Sequence, residues 1–474
     1  MAITRPLKPL RWRLHTAERR VILIIGDLFV SSVALLIGLY YWALGDQWLN
    51  FSFQFLVERP SFWFYLLPVI WIFLIIELYD PRRASRRVET IKGIAIAAAI
   101  CLGFYLLVYF TSEPSSLPRR GVAGFIIASA ILTLIWRFIY INIFTAPLFM
   151  RRVLVVGAGR AGTTLAGILG KVKPLPFLPV GLIDDDKQKI GTAINGLPVL
   201  AGSDRLLEII ETENITDLVL AITGEMNANL FQSILMAEEQ GIEVTTMPVV
   251  YEDLLGRVPI FLLQSDWILR SFIDQSHAGG FYELLKRLMD IIGGLIGICI
   301  LIVIYPFIAI GTLIDSGKPV LFTQNRLGVN GQIYKIVKFR TMCQDAEKDG
   351  IAVMAVENDD RVTKFGRFLR KSHLDEVPQF YNVLVGSMSL VGPRAERPEL
   401  VDKLQEKVPF YRARLFVKPG LTGWAQTNFK YASSVEDTAI KLEHDLYYIK
   451  HRNLFLDLLI LVRTIGSVVG LRGQ

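Results

Sequence analysis

Cysteine and histidine are scarce: three of the one and five of the other in 474 residues. Cys101, Cys299 and Cys343 lie far apart, two of them inside apolar runs, which excludes a disulfide framework and a cysteine-ligated zinc site. No internal repeat and no low-complexity linker is present, and charged residues make up only 20% of the chain. What replaces them is apolar: 52% of residues are hydrophobic and the mean hydropathy is +0.42. An excess of that size belongs in membrane segments. The formal net charge of +7 fits the basic cytoplasmic loops of a membrane protein, so no nucleic-acid partner is expected. The length exceeds one ordinary core and implies two or three domains.

Four apolar runs occupy the first third: Val21–Ala43, Phe62–Tyr79, Gly93–Phe110 and Gly121–Phe144. Each approaches the roughly 20 residues that cross a bilayer. The first is too long for a cleaved signal and lacks a small-residue cleavage site. Trp42, Trp48, Trp63 and Trp71 lie in or near these runs, and those close to the ends suit an interfacial belt. Arg5, Lys8, Arg11, Arg13, Arg19 and Arg20 precede the first run. Arg82, Arg83, Arg86, Arg87 and Lys92 separate the second from the third, and Arg151 and Arg152 follow the fourth. The first external loop holds only Arg59, so both ends of this four-helix bundle are expected in the cytoplasm, with Arg119 and Arg120 dissenting.

From Arg152 the pattern becomes soluble α/β. A buried strand, Val153–Val156, runs into the triad Gly157, Gly159 and Gly162 and then a helical stretch to Leu169. A second strand, Val180–Ile183, ends in Asp184. A strand, a glycine turn and a helix start suit a diphosphate, and an acid ending the next strand suits a ribose. An isolated fingerprint is a weak signal, and a Rossmann-like domain that keeps the turn for its shape explains it equally well. Further strands are expected at Asp217–Ile222 and Ile242–Met247, giving a parallel sheet.

A fifth apolar run, Ile291–Ile314, contains Pro306. Beyond it come four motif-dense stretches. Lys338-Phe-Arg340 follows a β-like stretch and suits a polyanion. Asp375-Glu376-Val-Pro378 reads as the start of a helix to about Val385, ended by Gly386; carboxylates there stay ionised, and one can attack phosphorus while the other holds a metal. Helix capping alone would also explain the acids. Ser389–Arg394, with Pro393, and Lys418–Trp424 read as turn-rich loops able to wrap a nucleotide diphosphate. The last apolar stretch, Leu454–Val469, carries Asp457 and Arg463 and is either interfacial or buried.

These strings together resemble the bacterial sugar transferases, the monotopic polyprenyl-phosphate glycosyl-1-phosphate transferases. The matching segments are Lys338–Met342, Asp375–Gln379, Ser387–Arg394 and Lys418–Trp424. The likeness is detailed from Phe281 onward. Upstream only the architecture is similar, to the large subclass with four spans and a Rossmann-like domain. The resemblance implies that Asp375 attacks the sugar-attached phosphorus of a UDP-sugar, expelling UMP. Glu376 would bind Mg²⁺. Undecaprenyl phosphate would accept the phosphosugar in a second step. Lys338, Arg340 and Arg394 would hold phosphate oxygens, with Arg326, Pro393 and Lys418 completing the phosphate and nucleotide site. Val377 and Ala395 depart mildly from the family's usual Leu and Pro. The resemblance also makes the fifth run, within residues 286–314, a re-entrant helix broken at Pro306, which keeps the catalytic segment cytoplasmic.

The expected architecture is a multi-pass membrane helical bundle at 1–150, a Rossmann-like α/β domain at 151–275 and an α-rich α/β catalytic domain at 281–474. The setting is the bacterial inner membrane, and a homodimer is compatible with it. The competing class is a membrane-bound nucleotide-sugar dehydratase or epimerase using NAD, for which Tyr282–Lys286 and Tyr334–Lys338 have the spacing of a Tyr-x-x-x-Lys pair. A non-catalytic scaffold is the third; the intact Asp375-Glu376 pair argues against it.

Overall fold

The fold is a computed structural model that describes residues 16–46, 48–111, 118–144, 150–262, 280–343, 361–429 and 434–469. Arg5, Lys8, Arg11 and Arg13 lie outside the described residues. The chain forms two compact units. One comprises Met1–Ala158, Gly162–Leu220 and Met226–Val244; the other comprises Thr245–Gln474 with the short pieces Gly159–Ala161 and Ala221–Glu225.

In the first unit, the apolar runs become α1 (Thr16–Ala43), a segmented second run, α3 (Arg87–Thr111) and α4 (Arg119–Phe144). The second run is not one helix. It is a 3₁₀ turn, Phe62–Leu66, then α2 (Leu67–Leu74), then a second 3₁₀ turn, Ile76–Tyr79. At ordinary rises the pieces amount to about 30 Å, close to a hydrocarbon core. Stretches within α1, α3 and α4 are long and apolar enough to cross a membrane. Small residues let α1 and α4 approach: a Cβ on Gly38 would meet the Gly121 carbonyl oxygen at 2.7 Å, and one on Gly26 would collide with the Trp136 ring. Trp71 is fully buried and donates to Thr133 Oγ1 at 3.1 Å, so it is core and not belt, while Trp48 and Trp63 are exposed. A pair that sequence patterning passed over sits in the bundle. Arg137 donates to Asp27 at 2.6 Å with both side chains sealed from solvent, and it also reaches the Leu78 carbonyl. A charge buried there persists only when paired.

The α/β part of this unit is a six-stranded sheet of β1 (Arg151–Val156), β2 (Phe177–Ile183), β3 (Ala193–Ile194), β4 (Leu197–Ala201), β5 (Asp217–Leu220) and β6 (Glu243–Thr246), in the order β3-β4-β2-β1-β5-β6. β1 pairs in parallel with β2 and β5, and β2 with β4, while β3 pairs antiparallel with β4. With helices α5 (Arg160–Lys171), α6 (Leu206–Thr212) and α7 (Ala228–Glu239) between strands, this is the doubly wound order, and the glycine turn leaves β1 where the strand order reverses. β1 is buried from Val153 to Val156, as a central strand covered on both faces must be.

The second unit begins with α8 (Met247–Leu255), entered directly from β6 and ended by Gly256 in the left-handed region at φ 65. The fifth apolar run is α9 (Gly280–Ser316), 37 residues long; the helix continues through Pro306, where the sequence led to the expectation of a break. At 1.5 Å per residue it measures about 55 Å, well beyond one hydrocarbon core. One side packs on the rest of the unit along most of that length. A Cβ on Gly293 would meet Leu390, one on Gly297 would collide with Phe380, and one on Gly311 would meet Phe365. Ile308, past the proline, shares a core with Phe339 and Leu369. The other side exposes Leu288, Ile292, Leu295, Ile296, Val303 and Phe307. The hairpin β7 (Leu321–Leu327) and β8 (Ile333–Phe339) follows, then α10 (Lys364–Lys371) and α11 (Phe380–Val385). Next come the parallel pair β9 (Ser389–Val391) and β10 (Gly420–Thr422). The last two helices are α12 (Val435–His451) and α13 (Leu454–Val469). α13 is buried at Leu456, Asp457, Leu459, Ile460 and Arg463, which decides between the two readings of its sequence.

Candidate active site

The acidic pair lies in a 3₁₀ stretch, Leu374–Gln379, and not in the first turn of an α-helix; Pro378 sits inside that stretch and the α-helix starts only at Phe380. His373 precedes it in the left-handed region at φ 58, and Gly386 closes α11 at φ 90. Asn382 anchors this segment to β8: its side chain donates to the Lys335 carbonyl at 2.8 Å and accepts from the Val337 N–H at 3.1 Å. That register delivers Lys338 to the acids. Its Nζ lies 2.7 Å from Oε1 of Glu376, and Arg394 reaches the same oxygen at 2.8 Å.

Arg394 comes from the turn after β9, which is locked to the Lys418–Trp424 turn by backbone contact. Gly392 N–H donates to the Thr422 carbonyl and Gly420 N–H to the Pro393 carbonyl, both at 2.9 Å. A Cβ on Gly392 would collide with the Lys418 carbonyl, and one on Gly420 with the Gly392 N–H. The glycines of both strings are therefore required by the packing of one turn on the other. Glu396, half-buried nearby, takes Lys441 at 2.9 Å and Arg414 at 3.4 Å, and Arg414 continues to Asp445 at 2.8 Å.

The two adjacent acids titrate apart. Burial, then the Glu376 charge, pushes the Asp375 carboxyl up to about 6, against Lys338, Arg394 and Arg370. Burial also opposes ionisation of Glu376, but Arg394 and Lys338 overcome it and hold that carboxyl far below its ordinary range. Glu376 is thus a permanent anion between two cations, and Asp375 a buried, more basic carboxylate beside it. Such an asymmetric pair is the pattern on which acid–base and nucleophilic sites are built, which makes it the candidate here.

Not every expected residue joins them. Arg340 donates to the Lys318 carbonyl at 3.0 Å and makes no bond to the acidic pair among the described residues, because it lies just past the end of β8. Arg326 donates to the Ala395 carbonyl at 3.2 Å and to Gln324 at 2.8 Å, bordering the Arg394 turn. Lys418 contributes its backbone to the paired turns. Sequence reasoning missed Arg370, which donates to Thr341 Oγ1 at 3.0 Å while acting on Asp375, and it missed the anchor Asn382. The spacing of Asn382, seven residues past Asp375 on the helix the acids lead into, was the available signal.

The Tyr-x-x-x-Lys readings are not favoured. Tyr282 and Lys286 both bond Asp457, at 2.9 and 3.1 Å, with Tyr448 on the same carboxylate at 2.7 Å; Lys338 is committed to Glu376. At the glycine turn, Gly157 adopts φ 104 and a Cβ on Gly162 would collide with the Gly157 carbonyl. Asp184 accepts from the Ala158 N–H at 2.6 Å, the Asp186 N–H at 3.0 Å and Lys189 at 3.3 Å. Asp184 braces the turn internally.

Mg²⁺ suits this chemistry if the donor set fits. No cluster of three metal-ligating side chains occurs among the described residues. Both cations bond Oε1 of Glu376. Mg²⁺ is commonly held by one or two carboxylates together with substrate phosphates and water, and Glu376 fits that pattern once phosphates are bound.

The architecture and site define a membrane protein with an α/β unit and a second unit built round a carboxylate–lysine–arginine cluster. The family model described as bacterial sugar transferase matches residues 281–470, and one described as a CoA-binding domain matches 74–248. The chain is 40% identical over 186 residues to the uncharacterized sugar transferase EpsL of Bacillus subtilis, covering 39% of this chain and 88% of that protein. It is 41% identical over 228 residues to the UDP-N-acetylgalactosamine-undecaprenyl-phosphate N-acetylgalactosaminephosphotransferase of Aeromonas hydrophila, covering 48% of this chain and 52% of the relative. The chain therefore spans about half the length of that relative. With the UDP-glucose:undecaprenyl-phosphate glucose-1-phosphate transferase of Xanthomonas campestris it shares 29% over 363 residues, 74% of this chain and 72% of that one. This protein belongs to the bacterial sugar transferase family.

Proposed function

We propose that the protein transfers a sugar-1-phosphate from a UDP-sugar to undecaprenyl phosphate and releases UMP, as the first membrane step of exopolysaccharide, O-antigen or capsule synthesis. One observation carries the reading: Asp375 is a buried carboxylate whose neighbour Glu376 is clamped by Lys338 and Arg394. A carboxyl pushed up to about 6 is still mostly ionised at neutral pH and is a better nucleophile for the loss of solvent. An Asp375 oxygen bonds the sugar-bearing phosphorus while the bond from that phosphorus to the bridging oxygen breaks, and UMP departs with the electron pair. A phosphate oxygen of undecaprenyl phosphate then bonds the same phosphorus and expels the Asp375 carboxylate. Phosphoryl transfer asks mainly for alignment and charge neutralisation, which Lys338 and Arg394 provide. Mg²⁺ held at Glu376 would neutralise further charge on the diphosphate.

The catalytic unit is assigned to the cytoplasmic face of a bacterial inner membrane, where UDP-sugars are. The packing of α9 supports this, since segments before and after Pro306 rest on the same unit and the opposite side is apolar and exposed. A helix lying in one leaflet accounts for both. The deciding experiment is UMP release by the purified chain with undecaprenyl phosphate across a panel of UDP-sugars. Release with at least one donor, independent of NAD, is expected; NAD-dependent turnover without UMP would overturn the assignment. In a variant retaining only Cys343, which is exposed, a membrane-impermeant thiol reagent should label inverted vesicles and not intact spheroplasts.

A further inference from the structure

We propose that the first unit binds the headgroup of an anionic phospholipid in a cavity at the start of α3. Arg86 donates to the Lys173 carbonyl at 2.9 Å, which ties the loop between α5 and β2 to the end of this helix. Beside that bond lies a cavity of about 760 Å³, lined by Arg86, Arg87, Glu89, Lys173, Val88 and Leu178 among others. Three cations and one carboxylate line it, Arg87 also donating to Asn142 at 2.7 Å. Val88 and Leu178 add exposed apolar surface next to the charges. α3 has 25 residues, so it extends about 37 Å, and its first turn falls at the level of lipid headgroups when it crosses a bilayer. The N-terminal end of a helix adds positive potential. The volume exceeds that of a bare phosphate and suits a glycerophosphate headgroup with the start of its acyl chains.

Bulk phospholipid is the committed occupant. The acceptor lipid of the proposed reaction must reach Asp375, which belongs to the other unit, whereas bilayer phosphates surround the end of α3 wherever it crosses. Basic flanks of a span are common topology signals, but Lys173 comes from the α/β fold and is not a flank. A lipid held here would bridge the helix end and the α5–β2 loop.

The test is native mass spectrometry of the full chain in detergent, with phosphatidylglycerol, phosphatidylcholine and undecaprenyl phosphate as separate probes. Phosphatidylglycerol should be retained in preference to phosphatidylcholine, and Lys173→Gln and Arg87→Gln should each weaken retention by about fivefold. The same charge loss at exposed Lys403→Gln, in the other unit, should have no effect. Equal retention of the two phospholipids, or retention unchanged in both cavity variants, overturns the proposal. If the variants lose undecaprenyl phosphate and keep phosphatidylglycerol, the site belongs to the acceptor lipid and the phospholipid assignment fails.

Discussion

The ammonium of Lys338, near the end of β8, lies 2.7 Å from Oε1 of Glu376, thirty-eight positions further along the chain. Arg394 and this contact together keep Glu376 ionised, while burial and the Glu376 charge leave Asp375 as the more basic of two adjacent acids.

Asp375→Asn removes the carboxylate charge proposed to attack phosphorus, with almost no change in side-chain volume. UMP release should fall to background, and the phosphosugar adduct expected on the parent protein by intact-protein mass spectrometry should be absent from the variant. Near-normal turnover would falsify the nucleophile role.

Lys338→Met leaves Glu376 with one cation in place of two. We expect kcat/KM to drop by about two orders of magnitude, the scale of one lost electrostatic stabiliser. Glu376→Gln should lower the rate and also shift the Mg²⁺ titration to higher concentration. An unchanged metal titration would remove Glu376 from the ligand set.

Glu443 on α12 accepts from Tyr251 of α8 at 3.1 Å and lies 3.4 Å from Arg257. Burial pushes its carboxyl from 4.5 up to about 7. The folded state therefore holds a proton that the unfolded chain releases. The contribution of this group to stability is fully present below pH 4.5 and is lost as pH rises through about 7, by about 3 kcal/mol in all. Glu443→Gln should flatten that dependence and leave the variant more stable than the parent at pH 8. Parallel unfolding profiles for the two proteins, recorded by scanning calorimetry, would refute it.

Asp457 gathers Tyr282, Lys286 and Tyr448 onto one fully buried carboxylate. Asp457→Ala strands the Lys286 ammonium and should cost roughly 3–5 kcal/mol. Asp457→Asn, which retains acceptors, should cost less. A thermal midpoint unchanged by Asp457→Ala would contradict the network.

The glycine turn separates shape from ligand binding. A Cβ on Gly159 meets nothing within 4 Å, whereas one on Gly162 collides with the Gly157 carbonyl. Gly162→Ala should destabilise the α/β unit. Gly159→Leu should fold and keep turnover within about twofold, the change expected of a surface substitution. Complete loss of UMP release in a folded Gly159→Leu protein would make the turn part of catalysis.

Much of this was legible in the sequence because it rests on local physics. Hydrophobic length marks α1, α3, α4 and α9, and strand–glycine–helix order marks the start of the doubly wound sheet. The Asp375, Arg394 and Lys418–Trp424 strings lie close together along the chain, so their shared purpose could be inferred before their contact was seen. The segmentation of Phe62–Tyr79 was not legible, since a uniformly apolar run gives no sign of where 3₁₀ turns interrupt it.

The amino-acid order alone determined which segments are apolar, which turns require glycine, and which acids and bases are present for phosphate chemistry. Only tertiary structure decided their partners. It sent Lys338 to Glu376 and Arg340 to the Lys318 carbonyl. It sealed Asp27 with Arg137 across 110 positions, and it joined α8 to α12 through Tyr251 and Glu443. Propensity and periodicity act within a few residues, whereas an ion pair depends on where distant backbones arrive, and burial then sets its strength and its protonation.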